Sequence, residues 1–266
     1  MIDGPPCMVS QMLAQGSGKS LVGIVKVDFL VQMIRRRKKE SQFDPLVLPG
    51  GDGDPIQIFD GVVVDRLRQM VTRMNRKAEM PKRLALVAAL RNEGVTFNSR
   101  ALGVVMAHDL GAKVCVIELN WWWPSPSPFI APDNEGLAAV ITNRAALEDV
   151  VAPTGWSNFS YLPAGVLERD DRPVMARSQI IKEILNELET RFDYLILDIP
   201  ALRATSDAVP LASLASAGVL VVHQGVTVVE DVRLALDDID HMEMKGVILN
   251  RIKIATPRTI SRLLSL

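Results

Sequence analysis

The stretch from Leu84 to Pro124 constrains the fold more than any other part of the chain. It reads LALVAALRNEGVTFNSRALGVVMAHDLGAKVCVIELNWWWP. Leu84–Leu90 is an apolar run of strand length, and Asn92-Glu93-Gly94 has the composition of a tight turn. Apolar residues at helical spacing follow over Thr96–Leu110, and a second apolar run covers Val114–Leu119. The pattern predicts strand, glycine turn, helix and strand, with both strands buried.

A strand–turn–helix unit of this kind is where phosphate-binding loops are found, because the turn amides and the helix N-terminus both point at an anion. The P-loop pattern is G-x-x-x-x-G-K-[ST]. In that register the chain has Ala89, Gly94, Val95 and Thr96. The strand–turn–helix frame of a P-loop is present, but a valine stands where the pattern requires a lysine. This mismatch is the main indication of function.

Strands and helices alternate through the rest of the chain, which predicts an α/β fold with a mostly parallel, doubly wound sheet covered by helices on both faces. Ligands of such sheets bind at the carboxyl ends of the strands. Gly94, Glu118, Asp198 and Asn250 all fall at strand ends, so we expect them to meet in one cleft. The further predicted elements are helices Gly136–Thr142, Ala145–Val151, Val174–Thr190, Asp207–Ala215, Val229–Met242 and Pro257–Leu264, and strands Phe159–Leu162, Tyr194–Ile199, Val219–His223 and Gly246–Leu249.

The first part of the chain differs in composition from the rest, and we predict an N-terminal extension and linker over 1–55 before a domain over 56–266. Asp44–Pro55 (DPLVLPGGDGDP) has the composition of a linker, and Ile56–Lys77 has the periodicity of a helix. Gly16–Ser20 (GSGKS) lacks the first glycine and the preceding strand of a P-loop, so we do not interpret it as a phosphate site.

A basic block lies within this extension. It is either a solvated helix end, where cations suit the helix dipole, or a contact with anionic lipid head groups at a membrane surface. Its members are Arg35, Arg36, Arg37, Lys38 and Lys39.

Charge and cysteine content narrow the functional classes. The formal net charge is −1, so no overall field favours nucleic acid. The two cysteines, Cys7 and Cys115, lie far apart, which is typical of a reducing compartment. The apolar run Leu21–Ile34 is interrupted by Lys26 and Asp28, so we expect no membrane span and a cytoplasmic protein.

From about Phe59 to Asn250 the chain resembles the cytoplasmic ATPase domain of the bacterial protein-tyrosine kinases (BY-kinases). These are P-loop ATPases of the MinD/ParA type, within the SIMIBI class, and they regulate capsule and exopolysaccharide assembly. The resemblance is carried by the order and spacing of several phrases rather than by one motif. They are IELNWWWPS, GLAAVITNRAALEDVVAPTGWSNFSYLPAG, FDYLILDIPALRATSDA and GVILNRI.

The resemblance also assigns site residues, and several of them depart from the family pattern. Val95 replaces the lysine that meets the nucleotide phosphates, while Glu118 and Asn120 replace the two aspartates of the second acidic motif. Thr96 and Asp198 remain as possible magnesium ligands, and Asn250 keeps the residue that contacts the adenine. Gly94 completes this vestigial nucleotide site. Arg91 or Arg100, both near the turn, could compensate in part for the lost lysine.

Two further family features are reduced. The chain ends RIKIATPRTISRLLSL without the family's tyrosine-rich tail, and its tyrosines are Tyr161 and Tyr194. The helix that assembles family members into rings carries Glu-x-x-Arg-x-x-Arg, which would align with Val62, Asp65 and Arg68. We therefore expect no ring by the family's route, although a homo-oligomer of another kind stays open.

The interpretation is a pseudokinase, since phosphoryl transfer depends on positioned charge and losing one such group typically costs on the order of 10²–10³ in rate. We expect a non-catalytic component of exopolysaccharide or capsule biosynthesis that binds a membrane chain-length or export protein, with no cofactor. The alternative is a weak or atypical ATPase or tyrosine autokinase that binds ATP or ADP with magnesium and acts as a switch.

Three consecutive tryptophans, Trp121, Trp122 and Trp123, follow the strand that ends before Asn120. Successive residues point in different directions, so we expect at most two of them to pack into the body. They either fill the vacated phosphate cleft or leave at least one ring exposed as an anchor for a partner, since Trp is enriched among binding hot spots.

Overall fold

The structure is a computed structural model that describes residues 43–51, 53–76, 80–124 and 134–252. The described chain from Pro45 onward forms one compact unit. Three sequence features lie outside the described residues: the Gly16–Ser20 motif, the basic block and the helix predicted over Pro257–Leu264.

The central feature is a seven-stranded sheet in the order β5-β6-β4-β7-β3-β8-β9. Every neighbouring pair in it is parallel except β5–β6, which is an antiparallel pair at one edge. A separate antiparallel hairpin, β1–β2, precedes it. The strands are β1 Leu46–Pro49, β2 Pro55–Phe59, β3 Arg83–Ala88, β4 Val114–Glu118, β5 Ala152–Pro153, β6 Phe159–Leu162, β7 Tyr194–Asp198, β8 Ala217–His223 and β9 Glu243–Asn250.

Helices connect the strands, and α2 is the helix that follows the glycine turn. It begins directly after Gly94 and ends at Gly111, which adopts the left-handed conformation expected of a helix C-terminus (φ 64°). The helices are α1 Gly61–Arg76, α2 Val95–Leu110, α3 Gly136–Ile141, α4 Leu147–Val150, α5 Arg172–Ala176, α6 Gln179–Arg191, α7 Ala208–Ala212 and α8 Val229–Asp237.

Side chains of the central strands alternate between two apolar layers, one on each face of the sheet. In β3, Leu84 and Leu86 pack into the layer that contains α1 and α2, whereas Ala85 and Val87 pack into the opposite layer. All four are buried. A parallel sheet covered on both faces is the architecture that the continuous apolar strands predict, and that prediction is confirmed.

Three element predictions need correction. Asp44–Pro55 is not a linker throughout, because Leu46–Pro49 forms β1 and Leu48 is fully buried. The helix predicted over Ile56–Lys77 begins only at Gly61, since the residues before it pair with β1 as β2. A single helix over Val174–Thr190 is also wrong, because the chain forms two helices, α5 and α6. In each case tertiary pairing or a local break overrides an apolar periodicity.

Candidate functional site

The turn between β3 and α2 has the backbone that a phosphate-binding loop requires. Gly94 caps the helix with φ 98°, a left-handed conformation that side chains disfavour. A Cβ added there would overlap the amide of Asn250 at the end of β9. Glycine is therefore needed both for the turn and for the close approach of a neighbouring strand.

Glu93 fastens this turn to the strand ends, and sequence reasoning did not single it out. Its side chain is buried, and one carboxylate oxygen, Oε2, accepts a hydrogen bond from the Leu90 amide at 2.8 Å. The other, Oε1, accepts from the His223 amide at 3.3 Å and from the Thr227 hydroxyl. The only local signal was an acidic residue beside Gly94 within a turn, which by itself does not reveal these distant partners.

Asn250 completes the attachment. Its Nδ2 donates to the Glu93 carbonyl at 2.7 Å, and its Oδ1 accepts from the Arg251 amide at 2.9 Å. The side chain thus lies against the turn, as expected for a residue at this strand end. Its amide already serves the protein's own backbone, and its role toward a base remains a prediction.

A pocket of about 270 Å³ opens above the turn. This lies slightly below the ~300–1,000 Å³ usual for small-molecule sites. Five of the predicted site residues line it together with one tryptophan: Gly94, Val95, Thr96, Asn120, Asp198 and Trp123.

The mouth of the pocket carries a cation stacked on an indole. The Arg91 guanidinium lies 4.0 Å from the centre of the Trp123 ring. Asn120 binds the backbone of Trp123. Its Nδ2 donates to the Trp123 carbonyl at 3.0 Å, and its Oδ1 accepts from the Trp123 amide at 3.2 Å. Both polar atoms of the Asn120 side chain therefore serve the turn after β4.

At the floor of the pocket, Thr96 and Asp198 meet. The Thr96 hydroxyl hydrogen-bonds to the Asp198 carboxylate, and Asp198 is 1% exposed. Its Oδ2 has no hydrogen-bond partner among the described residues. Burial, and then the neighbouring Glu118 carboxylate, raise the pKa of Asp198 to about 7, against the lowering influence of Thr96 and Arg100.

Behind Asp198 lies a buried polar layer under α2. Arg100 Nη2 donates to the Tyr161 hydroxyl at 2.8 Å, and that hydroxyl donates to Glu118 Oε2 at 3.1 Å. The same Glu118 oxygen accepts from the Ala164 amide at 3.4 Å. Burial and the Glu118 charge hold the pKa of Tyr161 well above its usual range, so this hydroxyl stays protonated and able to donate.

Val95 occupies the position of the P-loop lysine. It lines the pocket, and it also packs against the apolar layer that contains α1 and α2. The position therefore presents methyl groups where the pattern calls for an ammonium group, and Arg91 is the arginine of the turn that reaches the pocket.

The P-loop frame implies a magnesium ion, and the residues present match such a site only in part. Thr96 and Asp198 are in place, but Glu118 is turned toward Tyr161 and Ala164, and Asn120 toward Trp123. No group of three or more His, Cys, Asp or Glu side chains in the described chain is arranged to hold a metal. The Arg100 charge also acts on the same Asp198 carboxylate. The set does not fit a resident Mg²⁺.

The three tryptophans occupy three different environments. Trp121 is 1% exposed, and its Nε1 donates to the Ala164 carbonyl at 2.8 Å. Trp122 is half-buried, with its ring centre 6.0 Å from that of Trp121, and Trp123 lines the pocket. The assignment of Trp121 to a partner-binding surface is therefore wrong, because the ring belongs to the core. Trp123 instead matches the alternative in which an indole fills part of the cleft.

No family model matches the chain. Tyrosine-protein kinase YwqD of Bacillus subtilis is 26% identical over 177 residues, or 65% of this chain and 74% of the relative. Tyrosine-protein kinase etk of Escherichia coli K12 is 24% identical over 170 residues, or 63% of this chain and 23% of the relative. The relatives of this chain are bacterial tyrosine-protein kinases.

A longer relative is described as a transport protein rather than as a kinase. The succinoglycan biosynthesis transport protein ExoP of Rhizobium meliloti is 23% identical over 263 residues, covering 89% of this chain and 33% of ExoP. The chain thus spans about a third of that relative.

Solved structures of the kinase relatives share the fold. The kinase domain of the Escherichia coli tyrosine kinase ETK superposes with a TM-score of 0.63 at 21% identity, over 73% of this chain and 79% of that domain. The septum site-determining protein MinD of Pyrococcus horikoshii, solved with Mg-ADP, superposes with a TM-score of 0.53 at 21% identity. The match covers 70% of this chain and 77% of the MinD chain. The fold is the P-loop NTPase-like α/β fold of the tyrosine-kinase domains, as predicted.

Two further observations concern membrane-spanning helices and the ring motif. Within the described residues, no helix combines the length and apolar character needed to cross a bilayer. In α1, the one arginine retained from the ring motif, Arg68, pairs with Asp109 of α2, with Nε–Oδ2 at 2.9 Å and Nη2–Oδ1 at 3.3 Å. The absence of a ring stays a prediction.

Proposed function

We propose that the protein is a non-catalytic, tyrosine-kinase-like component of an exopolysaccharide or capsule system. It acts by binding a membrane chain-length or export protein of that system rather than by transferring phosphate.

The observation that carries the proposal is Val95. Phosphoryl transfer in P-loop enzymes needs the lysine at this position as a charge on the β- and γ-phosphates. Here the side chain is apolar and partly packed against the α1–α2 layer. Arg91 is stacked on Trp123 at the mouth instead, and Arg251 also lines the pocket.

The second acidic motif supports the same conclusion. Glu118 is engaged with Tyr161 and Ala164, and Asn120 with the backbone of Trp123. An asparagine carries no charge for a metal, and both of its polar side-chain atoms are already in use. These contacts support a site without the lysine and the second aspartate on which this class of catalysis depends.

The pathway is proposed from the relatives. Their names include tyrosine-protein kinases and a succinoglycan biosynthesis transport protein. The transport relative contains a region similar to most of this chain within a polypeptide that is about three times longer. On this proposal the kinase-like domain acts on a membrane protein of the same system by binding it.

The test combines activity with association. We expect purified protein to show no magnesium-dependent ATP hydrolysis and no tyrosine phosphorylation above an Asp198→Ala control. Co-expressed with the membrane chain-length or export protein of the same polysaccharide system, it should co-purify with that protein after detergent extraction. Turnover that disappears in Asp198→Ala, or a failure to co-purify, would contradict the proposal.

A second candidate function is a nucleotide-binding switch in the same pathway. Asp198 favours it, because this residue lines the pocket with Thr96 and its buried Oδ2 has no hydrogen-bond partner among the described residues. The glycine turn and the N-terminus of α2 also retain their backbone geometry. Calorimetry with ATP and with ADP separates the two functions, since a switch requires different affinities for the two nucleotides.

A further inference from the structure

Arg100 is the only buried arginine among the described residues, with 6% of its surface exposed. It lies one helical turn after Thr96 on α2, so both side chains extend from the same side of the helix. That side contacts the carboxyl halves of β4, β6 and β7. Burying a guanidinium group is costly unless it is paired, so its surroundings should explain it.

Those surroundings contain two carboxylates on adjacent strands. The register of β4 and β7 places Glu118 directly beside Asp198. Parallel neighbours lie about 4.8 Å apart, and both side chains point to the α2 face. Each is 1% exposed. Two buried carboxylates this close repel each other, and a positive charge nearby reduces that repulsion.

Arg100 supplies that charge through a defined connection. Its guanidinium donates to the Tyr161 hydroxyl and lies 4.8 Å from the centre of that ring. The Tyr161 hydroxyl, polarised by the guanidinium, donates a hydrogen bond to Glu118. The same guanidinium charge also acts on Asp198. One cation thus serves both carboxylates, one of them through a buried phenol.

We propose that Arg100 is a built-in counter-ion for the Glu118–Asp198 pair, which from the layer behind the pocket offsets part of the pair's negative charge without Mg²⁺. This deepens the proposed function, because a site that needs no metal has no use for the metal-dependent step. It concerns the charge balance of the fold, so it does not depend on which partner the protein binds.

The experiment compares thermal unfolding in millimolar Mg²⁺ and in EDTA at matched ionic strength. Wild-type protein should have the same unfolding midpoint in both, because Arg100 already offsets the repulsion within the pair. Arg100→Gln should lower the midpoint in EDTA by roughly 6 °C or more, since it leaves two buried carboxylates without their cation. Mg²⁺ should then restore part of that loss by binding between the carboxylates and Thr96.

Arg83→Gln is the matched control. Arg83 is also a partly buried arginine in ion-pair contact, with Glu189 at 2.6 Å, but it lies at the opposite end of β3 from the pocket. Its loss should lower the midpoint without creating any response to Mg²⁺. Arg100→Lys, which keeps the charge, should fall between wild type and Arg100→Gln and gain no Mg²⁺ response.

A double variant keeps the test decisive. Adding Glu118→Gln to Arg100→Gln removes one carboxylate, so the two changes together should cost less than their sum and the Mg²⁺ response should vanish. If Arg100→Gln does not fold in EDTA, recovery of folded protein on refolding in Mg²⁺ but not in NaCl would support the counter-ion role equally. A wild-type midpoint that rises with Mg²⁺, or an Arg100→Gln response no larger than that of Arg83→Gln, would overturn the proposal. Neither result bears on kinase activity or co-purification, so the two proposals fail separately.

Discussion

The turn before α2 lacks the cation that the P-loop pattern prescribes, whereas the layer beneath the second turn of the same helix holds a cation and two carboxylates. Val95 is at the pocket surface, where a lysine can be exchanged for an apolar residue at little cost to the fold. Arg100, Glu118 and Asp198 are buried, where removing one charge strands the others. The comparison teaches that binding chemistry can be lost at an open site while the charges that stabilise the fold beneath it are retained.

The tryptophan run sharpens this contrast between buried layer and pocket surface. Trp121→Ala should destabilise the protein by about 3–5 kcal/mol, because it leaves a cavity and removes the hydrogen bond to Ala164. Trp123→Ala, at the pocket mouth, should cost about 1 kcal/mol, mainly the stacking with Arg91. Urea unfolding measures both. Equal losses for the two variants would mean that Trp123 is as much a core residue as Trp121.

The turn itself is tested by glycine substitution. Gly94→Ala should cost about 2–3 kcal/mol, because it adds a side chain at φ 98° and forces Asn250 away from the turn. Gly111→Ala is the control, since Gly111 has a similar positive φ of 64° but open space around the added methyl group. Its cost should be only the backbone strain, about 1 kcal/mol. If Gly94→Ala is no worse than Gly111→Ala, the contact with β9 does not fix the turn.

The buried layer depends on the Tyr161 hydroxyl. Tyr161→Phe should cost about 1–3 kcal/mol, because Arg100 and Glu118 each lose a buried hydrogen-bond partner. Tyr194→Phe serves as the control at the opposite end of the sheet, where the Tyr194 hydroxyl makes no hydrogen bond to the described residues. We expect its unfolding free energy to change by less than about 0.5 kcal/mol. A neutral Tyr161→Phe would break the proposed link between the arginine and the acidic pair.

The smallest effect concerns the open site. Val95→Lys should raise affinity for ATP by roughly tenfold, because a charge-assisted hydrogen bond is typically worth about 1.5–3 kcal/mol, part of which desolvation offsets. Val95→Met, of similar length but uncharged, should show no gain by calorimetry. Neither variant should transfer phosphate, since Glu118 and Asn120 remain engaged elsewhere. Recovery of kinase activity by Val95→Lys alone would show that the rest of the site is intact.

The fold was largely predictable because it follows from local patterns. The strand–turn–helix unit and the alternation of strands and helices appear in the structure nearly as predicted, with the helix beginning at Val95 rather than Thr96. The hairpin β1–β2 was missed because its short strands flank a glycine-rich turn and resemble a linker until they pair. The pairing places Leu48 and Phe59 in the core. No periodicity within so few residues could have indicated it.

The sequence predicted which residues form the site, but not which contacts their side chains make. Gly94, Glu118, Asp198 and Asn250 were expected in one cleft, and of these the structure brings Gly94 and Asp198 to the pocket. Asn250 reaches the turn backbone, and Glu118 lies behind Asp198 rather than at the pocket wall. Arg100 was considered as a substitute for the lysine, yet its side chain turns into the layer below. Sequence spacing places a residue on an element, but it does not tell which neighbour the side chain meets.

By itself, then, the sequence determined the parallel sheet, the glycine turn and the absence of a cation at Val95, because each depends on residue type or short-range periodicity. Tertiary structure alone decided that Glu93 fastens the turn to His223 and Thr227, that Trp121 is core while Trp123 lines the pocket, and that Arg100 serves Glu118 through Tyr161. These contacts join residues far apart in the chain. Their energies come from burial and from the pairing of charges in a low-dielectric interior, which exist only after the sheet has formed.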